Sequence, residues 1–288
     1  MLPADPPRTP LTDGLGRRIS YLRISVTDRC DLRCRYCMAE RMQFLPKSQV
    51  LTLEEIALLA DLFIARGITR IRLTGGEPLV RRDIGELVRR IGRHLGNGLD
   101  ELTLTTNGTR LADHATMLFD AGVRRINVSL DSLDPARFAH ITRGGDIATV
   151  FHGVTEARDA GLAIKINMVA LKDFNEDEIL PMLRRTGGPA RYHRVDGLRA
   201  KLGLITPLTQ NFCADCNRIR MTCEGKIFMC LGHEDHVDFK AALRDGGLDA
   251  VEPLIDRALR LKPARHDFRI GAGETGPATR RHMSVTGG

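Results

Sequence analysis

The chain has no tryptophan and only three tyrosines among its 288 residues, and nowhere does it run together eighteen apolar residues. That last absence excludes a membrane-spanning helix as an expectation. The N-terminal stretch MLPADPPRTPLTDGLGRR is rich in proline and polar residues and lacks the apolar segment of a secretory signal. A reducing, cytoplasmic location is therefore expected, and there seven cysteines are ligands or catalytic groups before they are disulfides. Basic residues number 43 against 36 acidic ones, a surplus that suits a polyanionic partner such as a nucleotide. No block of Lys and Arg interleaved with aromatics occurs, which argues against nucleic acid.

What is present is a recurring unit. Between about residues 20 and 170 a β-rich run, a polar turn and an amphipathic helical stretch follow one another. The strand candidates are 21–27, 70–75, 101–107, 125–130 and 162–170. The stretch TLEEIALLADLFIARG (52–67) opens with Thr52 and Glu55 in capping-box spacing and closes at Gly67. Strand alternating with helix at this spacing predicts right-handed βαβ units and a parallel sheet.

Residues of one parity on these strands are polar: Arg70, Arg72 and Thr74; Thr103, Thr105 and Asn107; Asn127 and Ser129; Lys165 and Asn167. The opposite parity is mostly Ile, Leu and Val, as helix-covered strands require. A dry barrel interior could not hold so many polar groups, each costing a few kcal/mol when buried unpaired. The polar face is expected to line a ligand cavity at the C-terminal mouth of a barrel.

Two sets of cysteines stand out. Cys30, Cys34 and Cys37 follow the first strand in C-x3-C-x2-C spacing, with no fourth cysteine nearby. A structural zinc site wants four ligands, whereas a cubane cluster held by three thiolates keeps one iron open. Cys213, Cys216, Cys223 and Cys230 form the second set. Judged by spacing alone, that set could equally be a zinc site, with Cys223 as its fourth ligand. Arg218 and Arg220, two apart, would project to one side of an extended segment, a fork suited to phosphate or a purine edge.

The first set, with Tyr36 directly before its last cysteine, resembles the signature of the radical S-adenosylmethionine enzymes, and Gly75-Gly76-Glu77-Pro78 resembles that family's second motif. The stretch FCADCNRIRMTCEGKIFMC resembles the C-terminal cluster motif of the GTP 3′,8-cyclase family, molybdenum cofactor biosynthesis protein A. The resemblance implies two [4Fe-4S] clusters, one on Cys30, Cys34 and Cys37 and one on Cys213, Cys216 and Cys230, leaving Cys223 as a spare thiol. It implies S-adenosylmethionine contacts at Tyr36, Gly76 and Ser129. GTP contacts are implied at Arg23, Arg72, Thr105, Lys165, Arg218 and Arg220, and a catalytic tail at Gly287 and Gly288. The implied reaction reduces S-adenosylmethionine at the first cluster, removes hydrogen from C3′ of GTP and closes a bond to C8, with the second cluster anchoring the base. An external electron donor and a cyclic pyranopterin synthase that takes the product belong to the same implication, and a homodimer is allowed by it.

One feature departs from that family. After Asn175 the strand and helix rhythm breaks, and Gly187-Gly188-Pro189 follows within a few residues. Roughly forty residues of the family's pattern, including a sixth strand with a methionine toward S-adenosylmethionine, are missing, judged against βα units of about thirty residues or more. The expected fold is an α/β partial TIM-like barrel with a C-terminal iron-sulfur module: a flexible lead-in over 1–18, the partial barrel over 19–183, the second-cluster region and Gly-Gly tail over 184–288. Three other readings are a cluster-binding but inactive or partner-dependent relative, a zinc-binding regulatory protein, and a peptide-modifying radical enzyme. The last is disfavoured because such enzymes usually carry more C-terminal cysteines and lack the R-x-R and Gly-Gly elements.

Overall fold

The computed structural model describes residues 10–186, 193–194, 201–202, 212–266, 279, 281 and 283–286. The first half is the repeated unit in order: β1 (Tyr21–Ser25), α1 (Leu53–Ala65), β2 (Arg70–Thr74), α2 (Ile84–Gly92), β3 (Glu101–Thr106), α3 (Leu111–Asp120), β4 (Arg125–Ser129), α4 (Pro135–Thr142), α5 (Ile147–Asp159) and β5 (Ala163–Asn167). Then come α6 (Ile179–Thr186), the two-residue strands β6 (His193–Arg194) and β7 (Lys201–Leu202), β8 (Arg218–Met221), β9 (Lys226–Phe228), β10 (His236–Asp238), α7 (Lys240–Arg260) and α8 (Met283–Thr286).

The main sheet is open, not closed. Its order is β10-β9-β8-β1-β2-β3-β4-β5, parallel from β8 through β5 and antiparallel from β8 to β10. It is a partial β/α barrel, as the alternating strands and helices predict. The pattern did not predict that β8, which arrives nearly two hundred residues after β1, pairs with it in parallel, Tyr21 opposite Arg218 and Arg23 opposite Arg220. A four-residue strand, RIRM, carries no periodic signal long enough to reveal its neighbour.

Local chemistry explains the elements. At α1 the Glu55 amide donates to Thr52 Oγ1 at 3.1 Å and the Thr52 amide to Glu55 Oε2 at 2.7 Å, the reciprocal box the spacing predicts. Apolar residues of one parity, Leu22, Ile24, Ile71, Leu73, Leu104, Ile126 and Val128, are buried under the helices with Ile56, Leu59, Phe63 and Val88. Burial of this kind, at about 25 cal/mol per Å² of apolar surface, is the main stabiliser of the half-barrel. Part of the expected lead-in, residues 10–18, packs onto the body: Leu11 is buried and Thr12 bridges Arg18. Helix α4 is an element the sequence pattern did not predict, started by Asp134, whose side chain accepts from the Arg137 amide.

Candidate active site

The first cysteine loop leaves β1 at its C-terminal end and is held by the turn before it and by α4. The Cys37 amide donates to the Cys34 carbonyl at 2.9 Å, and the Arg33 and Arg35 amides donate to the terminal carbonyls Thr142 and Ile141 of α4. Two N–H groups face the Cys30 sulfur, the Leu32 amide at 3.4 Å and Asn107 Nδ2 at 3.7 Å. Burial pushes the Cys30 and Cys34 thiols up to about 12, and the carboxylates of Glu77 and Asp131 add to it. Thiols such as Cys30 and Cys34, whose anions burial and nearby carboxylates disfavour, fit a cationic iron group, which would supply the missing charge.

Gly75 and Gly76 serve the loop rather than an open cradle. A Cβ on Gly75, whose φ is 155°, would stand 2.6 Å from the Thr27 carbonyl oxygen, and one on Gly76 would overlap the Arg29 carbonyl. The Gly76 amide donates to Thr27 O and the Glu77 amide to Arg29 O, both at 2.8 Å. The glycines let the end of β2 lie directly against the backbone leading into Cys30. Glu77, fully buried, accepts from the Leu79 amide, the Thr106 hydroxyl and the Asn107 amide. Burial raises its carboxyl to about 7 against those three bonds. Through Asn107 it reaches Cys30 and Asp31, the latter at 2.7 Å from Nδ2. No pattern in the sequence reveals this relay, because its members are single polar residues on three different strand ends.

Tyr36 donates its hydroxyl to Asp131 at 2.8 Å, and Asp131 also accepts from the Val169 amide after β5. Ser129 ends β4 opposite Asn167 of β5. Tyr36, Gly76 and Ser129 thus stand at the C-terminal ends of β1, β2 and β4. Asn175 closes the same corner, donating to the Asp131 and Val169 carbonyls.

The strand register aligns the polar parity into rows. Arg220 lies opposite Arg23, Arg23 opposite Arg72, and Arg72 opposite Thr103; one step along, Thr105 lies opposite Asn127 and Asn127 opposite Lys165. The face is strongly basic and poorly satisfied. Among the described residues, Tyr21 Oη, Arg23 Nε, Thr105 Oγ1, Asn127 Oδ1, Arg218 Nε and Arg220 Nε are buried without a hydrogen-bond partner. Desolvation lowers Arg23 and Lys165, brings Arg72 down to about 10 and Arg220 to about 9, with neighbouring arginines contributing in each case. The Tyr21 ring lies under three guanidinium groups, those of Arg23, Arg72 and Arg218, at 5.4 to 5.8 Å from its centre. Buried polar groups are ordinarily paired, so six orphans beside crowded cations fit a ligand that is anionic and rich in acceptors.

The second cysteine set divides. Burial pushes the Cys230 thiol up, with Lys262 and the sulfurs of Cys216 and Cys213 near enough to bear on it, and Lys262 Nζ lies 3.4 Å from Cys216 Sγ. Cys223 is buried in another environment beside Asp28, Glu224 and Arg81, and burial pushes its thiol up to about 12. Among the described residues no three His, Cys, Asp or Glu side chains converge on a point where a single ion could sit. A tetrahedral zinc reading of the four cysteines has no support in this geometry. Cys223 thus stands apart from the surroundings of Cys216 and Cys230. Gly287 and Gly288 lie outside the described residues.

Residues 24–186 match the model of the radical SAM superfamily, and residues 167–268 match Molybdenum Cofactor Synthesis C. The chain is 51% identical to the GTP 3′,8-cyclase of Erythrobacter litoralis, covering 96% of this chain and 98% of that relative. It is 49% identical to the protein of that name from Rhizobium leguminosarum bv. trifolii, over 97% and 94%, and 48% identical to the one from Rhizobium meliloti, over 99% and 97%. The first alignment spans 328 positions, 40 more than the 288 residues of this chain. Since that alignment takes in only part of this chain, the relative carries at least 40 positions for which this chain has no counterpart.

Proposed function

The chain belongs to the radical S-adenosylmethionine superfamily and, within it, to the GTP 3′,8-cyclase family, and on that premise we propose how its residues divide the work. It is a lyase-type radical enzyme of molybdenum cofactor biosynthesis that acts on GTP. Cys30, Cys34 and Cys37 hold the [4Fe-4S] cluster, and Tyr36, Gly76 and Ser129 border the S-adenosylmethionine position. Bound together, these two groups supply the one-electron cleavage of the sulfonium that makes hydrogen removal from C3′ of GTP feasible.

The protein's own part is placement and charge. Arg23, Arg72 and Lys165 hold the phosphates on the basic face, with Thr105 donating to an oxygen from β3. Arg218 and Arg220, on β8, hold the nucleotide where the sheet passes into the second-cluster region. A second [4Fe-4S] cluster on Cys213, Cys216 and Cys230 anchors the base beside them. Gly287 and Gly288 complete the site from the tail. The single observation carrying this reading is the set of buried, unpartnered donors and acceptors on the register-aligned face, which an acceptor-rich polyanion would satisfy.

The remaining partners follow from the chemistry: an external one-electron donor, a cyclic pyranopterin synthase that takes the product, and a cytoplasmic setting that keeps the clusters reduced. No described helix is long and apolar enough to cross a membrane. The working division is the lead-in 1–18, the partial barrel 19–183 and the cluster region 184–288, and a homodimer is compatible with it.

A second reading is favoured by one observation, the positions of the first relative, at least 40, that have no counterpart here. In it the chain binds clusters and nucleotide but needs a partner for turnover. Anaerobic reconstitution followed by reductant, S-adenosylmethionine and GTP separates the two. 5′-Deoxyadenosine together with a 3′,8-cyclised nucleotide is the expected result. Clusters and bound GTP with no turnover would select the second reading.

A further inference from the structure

Three basic residues from remote parts of the chain meet the second cysteine set, one at each cysteine. Arg17 Nη1 donates to the Cys213 carbonyl at 2.8 Å. Arg281 Nη2 donates to the Cys230 carbonyl at 3.4 Å and to that of Leu231. Lys262 Nζ lies 3.4 Å from Cys216 Sγ, and also donates to the Arg218 carbonyl at 3.0 Å and the Met229 carbonyl at 2.7 Å.

Their electrostatic situations differ. Arg17 is neutralised by Asp13 at 2.6 Å and Arg281 by Glu234 at 2.9 Å. Both act as anchors, cations whose field is cancelled close by. Lys262 is 5% exposed and, among the described residues, has no carboxylate partner; its three acceptors are a sulfur and two carbonyls. A buried ammonium is costly unless an anion accompanies it. Among the described residues, the groups within its reach that can carry negative charge are the sulfur of Cys216 and, next to Met229, that of Cys230.

We infer that Lys262 is the built-in countercharge of the second cluster, a positioning residue that holds Cys216 and the Cys230 loop around the iron and favours the cluster's reduced state. This rests on the two-cluster reading given above. Three thiolates on a cubane carry net negative charge, which deepens by one when the cluster takes up an electron. A fixed, buried positive charge at hydrogen-bond distance from one sulfur stabilises the reduced form more than the oxidised one. Lys262 also joins β8 to the turn after β9, so the charge is held by the same strands that carry Arg218 and Cys230.

The test is an anaerobic redox titration of the reconstituted full chain followed by electron paramagnetic resonance, for the wild type, Lys262→Gln and Lys262→Arg. Iron content is measured first. About eight iron atoms per chain in the wild type correspond to two cubanes; about four would overturn the two-cluster reading and the inference with it. Given two clusters, Lys262→Gln is expected to shift one of the two reduction steps to more negative potential and leave the other in place, with Lys262→Arg restoring it. Wild-type potentials in Lys262→Gln at unchanged iron content would overturn the countercharge role while leaving both clusters standing. Should Lys262→Gln not fold, Lys262→Met carries the same expectation, since it keeps the aliphatic stem and removes the charge.

Discussion

Glu77 is a carboxylate with no cation beside it, held in a fully buried position by three hydrogen bonds. Its ionisation at about 7 instead of 4.5 makes it a net cost to the folded state at neutral pH. Below about pH 4.5 the group is neutral whether the chain is folded or not. As pH rises from there to about 7 the unfolded chain ionises first, so the folded state loses stability over that window and none beyond it. Between pH 5.5 and 8 the wild type should lose about 2 kcal/mol relative to Glu77→Gln. Anaerobic urea unfolding of both proteins at the two pH values measures it, and an unchanged gap would refute the assignment. At pH 8 the variant is still expected to be impaired in cluster chemistry, because a glutamine amide meets the donors of Leu79, Thr106 and Asn107 with one acceptor too few. The cysteines, glycines and R-x-R pair are visible in the sequence because each set is contiguous or nearly so. Lys262 is not, since nothing in one dimension relates a lysine at 262 to a cysteine at 216; Glu77 and Asn107 stand within the glycine motif and the polar parity, but the hydrogen bond that joins them shows only in the fold.

At the scale of elements, the site depends on two strand ends being pressed together. The ends of β1 and β2 share backbone hydrogen bonds at Gly76 and Glu77, with no room for a side chain between them. Gly76→Ala should therefore move the loop that carries Cys30 while leaving β8 and β9 undisturbed. The expected result is loss of about half of the iron on reconstitution, with the remaining cluster unaffected in its spectrum. Full iron content in Gly76→Ala would show that the loop can shift to accept a Cβ. Five strands and the four helices that follow the first four of them were legible from their periodicity, including the capping box of α1 and the polar parity of the strands. Helix α4 was not, although its terminal carbonyls bind the cysteine loop, because eight residues give barely two turns of pattern.

At the scale of the molecule, both ends of the chain converge on the second cysteine set. Arg17 comes from before β1, Lys262 from after α7 and Arg281 from just before α8. A double Cys213→Ala, Cys216→Ala variant should lose the second cluster and loosen these ends together. Amide hydrogen exchange is expected to rise in residues 11–19 and 261–266 and to stay slow across β2 to β4. Uniform protection would show that the termini pack independently of the cluster. The shortened region after Asn175 concerns the other end of the same sheet, where β5 (Ala163–Asn167) is the last strand of the described order.

The sequence by itself determined the class of fold, the two cysteine sets and the polar side of the sheet, because hydrophobic period and ligand spacing are local properties of a chain. It also carried the break in the strand and helix rhythm after Asn175, since a broken rhythm is as local as an intact one. Only the tertiary structure decided which neighbours those sets have. It brought β8 alongside β1 and so aligned Arg220, Arg23 and Arg72 in one row. It turned Cys223 into the interior toward Asp28 and Arg81, and it delivered a buried lysine to the sulfur of Cys216. Such pairings are decided by which surfaces can be buried together, and burial is a property of the folded whole, not of the order of residues.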